Sequence, residues 1–146
     1  MENAEILNEN VNPERPLFLK VLCILTFISA GIGSLSALLT PLFSEQIIEL
    51  IQSSPNYDEA NMAEALIVLQ AGWGYYIIMF VLASASLIGA ILMWNLKKIG
   101  FHVYALANLI ALFVPILMFS MPISWSGILL TACFIALYAL NLKHMK

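Results

Sequence analysis

Few side chains in this 146-residue sequence are equipped for chemistry, and none is grouped for it. Asn108 is the one strongly polar side chain in the middle of a long apolar run. An amide there either bonds a neighbouring helix, worth on the order of 0.6 kcal/mol, or touches something that passes through. It has no charged companion, so the interhelical bond is the expectation. His102 and His144 sit beside lysines at the edges of apolar runs. Imidazoles carry protons near neutral pH, but a metal site needs several ligands converging, and neither histidine has a carboxylate or cysteine close in sequence. Cys23 and Cys133 lie far apart in apolar surroundings, without C-x-x-C or zinc spacing, and read as small hydrophobes.

The signatures of familiar enzymes are missing. H-E-x-x-H and G-x-S-x-G do not occur. Gly31-Ile32-Gly33 and Gly72-Trp73-Gly74 lack the third glycine and the preceding strand of a dinucleotide loop. No basic cluster suits nucleic acid or a phosphoinositide headgroup. The sequence therefore assigns no catalytic, cofactor-binding or metal residue, and the expected activity is not enzymatic.

What must hold these residues is a set of membrane helices. The chain is 62% hydrophobic and 10% charged. Soluble domains are nearer half apolar and a quarter charged, and a chain this short cannot hide the excess from water. Three stretches carry no Asp, Glu, Lys or Arg: Val21–Ser44, Ala65–Leu96 and Ile99–Leu142. A span needs about 20 residues. The first stretch makes one span. The second is divided by Gly72-Trp73-Gly74. The third must fold back, with a corner at Ser120-Met121-Pro122-Ile123-Ser124, where Pro122 suits the first turn of a new helix. The expected spans are about 17–39, 73–94, 99–119 and 123–142, an all-α, up-down-up-down bundle of four transmembrane helices.

Charge fixes the orientation. The basic residues are Arg15, Lys20, Lys97, Lys98, Lys143 and Lys146. With four spans they all fall on one side, which the positive-inside rule makes cytoplasmic. Residues 1–16 are then a flexible cytoplasmic N-terminus, 17–142 the membrane domain and 143–146 a cytoplasmic C-terminus. Residues 1–16 lack the basic start and cleavage site of a signal peptide, so the first span is expected to remain in the mature protein. Neither end reads as a lipidation site. Trp73, Trp94 and Trp125 fall at span ends, where amphipathic rings favour the headgroup level.

The outer segment, 41–72, carries Glu45, Glu49, Asp58, Glu59 and Glu64. Residues 43–51 alternate as an amphipathic helix, with Ile47, Ile48 and Ile51 on one side. Asn56 and Glu59 have the spacing of a capping box for a second short helix, Tyr57 to about Gln70. The five acids read as a solvated face, with a cation- or partner-binding cap as the alternative.

Helix association in lipid depends on close backbone approach and buried hydrogen bonds. Ser29, Gly33 and Ala37 make a small-residue stripe on the first span. Ala85 and Gly89 do so on the second, and Ala105, Asn108, Ala111 and Pro115 share one side of the third, which Pro115 should kink.

ERPLFLKVLCILTFISAGIG and ILMWNLKKIGFHVYALANLI resemble stretches of small four-span bacterial membrane proteins that carry no assigned function. The likeness covers the first span, the second half of the second, the Lys97-Lys98 turn and the third span. It implies a bacterial cytoplasmic membrane and a four-helix bundle, and it transfers no catalytic residue. The expected role is a structural or accessory membrane subunit in contact with lipid, self-associating or joining a larger complex. A small oligomeric transporter or channel is the alternative.

Overall fold

The computed structural model describes residues 16–55, 58–122 and 124–145, apart from the side chains at 59–61 and 144. Arg15, Asn56, Tyr57, Ile123, Lys146 and the His144 imidazole lie outside that description, and with them the proposed capping box. Five α-helices follow in order: α1 Leu17–Gln52, α2 Glu59–Leu69, α3 Trp73–Trp94, α4 Ile99–Phe119 and α5 Trp125–Asn141. A 3-10 turn, Leu142–His144, follows α5.

α3 and α4 have the bounds expected from the sequence, for visible reasons. Gly72, extended at φ −65° and ψ 164°, precedes α3. The chain leaves α3 through a left-handed residue, Leu96 at φ 58°. Its N–H bonds the Met93 carbonyl and the Lys97 N–H bonds that of Leu92, so the exposed carbonyls at the helix end are satisfied. Glycine usually fills such a position, and a side chain costs about 1–2 kcal/mol there. Leu96 is retained because it is buried in the core, 8% exposed, and burying a leucine returns roughly as much.

The first helix departs from expectation. It does not stop near Leu39 but runs on through Pro41 for 36 residues, about 54 Å at 1.5 Å per residue. The amphipathic helix expected at 43–51 is therefore the far end of α1, and α2 is the only short helix in that connection among the described residues. A proline inside a helix costs roughly 3 kcal/mol. Against this cost, no glycine closely follows Pro41 to release the chain, and Ile47, Ile48 and Ile51 are half-buried. α5 starts at Trp125 rather than at the Pro122 corner. Ser124 caps it, its hydroxyl accepting the Gly127 N–H at 3.3 Å. Ser120, left-handed at φ 52°, ends α4.

α3 is the centre of the bundle, with α1 and α4 packed along it and α5 held more loosely. At one end, Leu19, Leu22 and Cys23 of α1, Met93 and Leu96, Tyr104 of α4, Tyr138 of α5 and Met145 form a single apolar cluster. The segments bearing Lys20, Lys97, Lys98 and Lys143 meet there. At the other end Tyr75, Tyr76 and Val114 form a smaller core, and α2 joins it through Val68. The Tyr76 hydroxyl donates to the Val68 carbonyl at 2.7 Å.

Large apolar side chains face outward: Leu117 is 80% exposed, Leu129 73% and Ile32 61%. The buried polar side chains are Thr26, Ser86 and Asn141. α1, α3 and α4 are long and apolar enough to cross a membrane; α5, at 17 residues, is shorter. Such a surface suits lipid and not water.

The α3 and α4 backbones approach closely at Gly89 and Gly100. A Cβ on Gly89 would stand 2.7 Å from the Tyr104 nitrogen and 2.9 Å from the Gly100 carbonyl oxygen. One on Gly100 would stand 2.5 Å from the Gly89 oxygen. Gly89→Ala is expected to cost about 2 kcal/mol by forcing α3 and α4 apart, read as a lowered melting temperature in mild detergent. Gly31→Ala, which meets nothing within 4 Å, should not lower it.

Candidate functional site

Because α5 is held mainly near the lysine-bearing end, the bundle opens between α1 and α5. Apolar packing and one polar contact hold α5 there. The Thr26 and Tyr138 hydroxyls are 2.7 Å apart, linking α1 to α5. The Tyr138 ring meets Tyr104 edge to face at 4.9 Å between centroids. Thr26 and Tyr138 are essentially sealed from outside. Cys23 completes this layer, its thiol donating to the Ala90 carbonyl at 3.8 Å.

Beyond this latch lies a groove of about 630 Å³. α1 and α5 are its walls, contributing Ser29, Gly33, Thr131 and Phe134, and α3 and α4 its floor, with Ser86 and Asn108. The volume is that of a small-ligand site. Asn108, the residue singled out by its depth, donates to Ser86 Oγ at 2.9 Å and to the Tyr104 carbonyl at 2.8 Å. Both amide hydrogens are therefore spent inside the bundle, tying α4 to α3. No ionisable carboxylate or amine lines this groove, so it has no proton carrier or electrostatic clamp.

A second cavity, about 610 Å³, lies at the α2 end between α2, α4 and the connection into α5. Its lining includes Glu64 and Val68 of α2, Leu112 and Pro115 of α4, and Met121. Ala111 borders both spaces.

The small residues chosen from sequence are placed differently from one another. Gly89 is buried at the α3–α4 crossing. Ala37 is buried and Pro115 half-buried. Ser29 and Gly33 are exposed on the groove, and a Cβ at Gly33 would meet nothing within 4 Å. Ser29 bonds its own helix, donating to the Thr26 carbonyl at 3.2 Å. Lys97, Lys98 and Lys143 are exposed, and Lys20 is half-buried in the first turn of α1. His102 is exposed, its ring against Phe101. Among the described residues no three His, Cys, Asp or Glu side chains converge. Thr26, Tyr138 and Gly100 escaped the sequence reading. Each residue type was visible, but no pattern in one chain says which hydroxyl meets which.

No family model, curated protein or solved structure matches the chain.

Removing either hydroxyl of the latch should loosen α5. Thr26→Val and Tyr138→Phe are each expected to destabilise the protein, with a coupling energy of about 0.6–1.7 kcal/mol in a double-mutant cycle. Unfolding in a denaturing-detergent titration checks this.

Proposed function

We propose that this chain is a multi-pass, non-enzymatic subunit of a bacterial cytoplasmic membrane that works by presenting its α1–α5 groove to another membrane helix. That helix belongs to a second copy or to a larger complex. In this reading α5 and the turn after it make a fourth span, and both termini are cytoplasmic. The gathering of Lys20, Lys97, Lys98 and Lys143 onto segments that meet at one end supports the orientation. The α3–α4 pair is the rigid base, and lipid covers the outward leucines and isoleucines.

The observation that carries the reading is the α1 wall. Ser29 and Gly33, four residues apart, are exposed inside a concave space, with open room above Gly33. Gly89 and Gly100 stand where two backbones touch, whereas Gly33, like Gly31 on the same helix, has open room. A glycine facing an empty groove supports a helix arriving from outside the chain, since small residues let membrane helices approach closely.

Gly33→Leu separates this role from folding. Its side chain fills open space, so the melting temperature should stay unchanged. Self-association or co-purification from native membrane, measured by native mass and by cross-linking, should fall at least tenfold. Assembly equal to wild type in Gly33→Leu, or a wild type that is monomeric and brings nothing with it, contradicts the proposal.

A small oligomeric transporter or channel is the second reading. It is favoured by Ala111 bordering both cavities, which sets the space at the α2 end beside the groove that holds Asn108. It expects flux in proteoliposomes that Asn108→Leu abolishes. Flux indifferent to that change would leave Asn108 as a tie between α3 and α4.

A further inference from the structure

The cavity at the α2 end differs from the groove in one respect: it has a carboxylate. Glu64 lies on its rim, while the wall is apolar, made by Val68, Leu112, Pro115 and Met121. Pro115, having no N–H, cannot donate to the carbonyl of Ala111 four residues back, and both residues border the cavity. The surroundings share the sign. Glu45, Glu49, Asp58 and Glu64 are all exposed at this end, and the chain has no lysine or arginine between Lys20 and Lys97. A cation reaching this end meets attraction without a competing basic side chain from the same segment. At about 610 Å³ the cavity is large enough for a drug-sized molecule.

We infer that this cavity binds lipophilic organic cations, the apolar body lying against α4 and the connection into α5 and the charge facing Glu64. Charge complementarity selects this class. A neutral acyl chain would leave the carboxylate unused, and an anion would be repelled by it. The inference is independent of the assembly role, because it concerns a different cavity and needs no second helix.

The probe is tetraphenylphosphonium, compared with tetraphenylborate, an anion of nearly the same size and shape. Binding is measured by equilibrium dialysis against purified full-length protein in a nonionic detergent. Saturable binding of the cation is expected, with the anion at least tenfold weaker. Glu64→Gln should weaken the cation about fivefold, the scale of one partly exposed charge pair. Glu49→Gln, which removes an acid from the same end but not from the cavity, should leave affinity unchanged. Ala65→Trp, on the exposed face of α2 where it borders the cavity, should fill the space and cost at least tenfold. Equal binding of anion and cation overturns the inference. So does a Glu64→Gln affinity equal to wild type, or a Glu49→Gln loss as large as that of Glu64→Gln. Should Ala65→Trp fail to fold, the anion comparison and the two glutamate variants still decide. Gly33→Leu should bind the cation like wild type, which keeps failure of this inference distinct from failure of the assembly reading.

Discussion

Lipid offers no hydrogen bonds, and most of this structure follows from that single deficit. Each polar group inside a membrane segment must find its partner within the protein. Thr26 finds Tyr138, Asn108 finds Ser86 and the Tyr104 carbonyl, and Asn141 turns back to the Leu137 carbonyl of its own helix. Among the described residues no buried side-chain nitrogen or oxygen is left without a partner. The same deficit removes any penalty for outward leucine and isoleucine, so large apolar side chains cover the outside, while the interior mixes Leu19, Met93 and tyrosines with small residues and a few hydroxyls and amides. A water-soluble bundle puts polar side chains on its outer face.

Where hydrophobic burial cannot bind helices together, contact distance must. The α3–α4 pair is joined by a tight turn and a glycine-to-glycine crossing, and it makes the firm half of the molecule. α1 packs along α3 through Cys23, Ala30 and Ala37, all buried. α5 has no glycine crossing; it is held by the Thr26–Tyr138 hydroxyl pair, the Tyr104–Tyr138 ring contact and the packing of Phe134, Ile135 and Leu137 against the apolar cluster. Its loose attachment is what opens the groove, so the feature assigned a function is a consequence of unequal packing. The groove holds a satisfied amide and hydroxyls, and the cavity at the α2 end a carboxylate at the surface.

The sequence was informative where charges and glycines punctuate it. Lys97-Lys98 and Gly72-Trp73-Gly74 bracket α3 and the start of α4 because charged and turn-forming residues are costly inside a span. It misled past residue 39, where the first span was expected to end and a separate amphipathic helix to follow at 43–51, but α1 runs unbroken to Gln52. Gly33 and Gly89 show a deeper limit. Both sit in small-residue stripes at four-residue spacing, yet one is open and the other is crossed by a neighbouring backbone. Spacing says which residues share a face; only the packed neighbours decide which way that face points. Asn108 was legible as an interhelical tie because a lone amide at depth has little else to do. The Thr26–Tyr138 latch was not, because it joins residues 112 positions apart.

The account rests on lipid surrounding the bundle and on the lysine-bearing end facing the cytoplasm. Single cysteines test both at once. In a background with Cys23→Ala and Cys133→Ala, Glu49→Cys reports the far end of α1 and Lys98→Cys the turn between α3 and α4. A membrane-impermeant maleimide applied to intact cells should label position 49 at once, and position 98 only after permeabilisation. Labelling of position 98 from outside, or of both positions without permeabilisation, would contradict the orientation and the membrane bundle built on it.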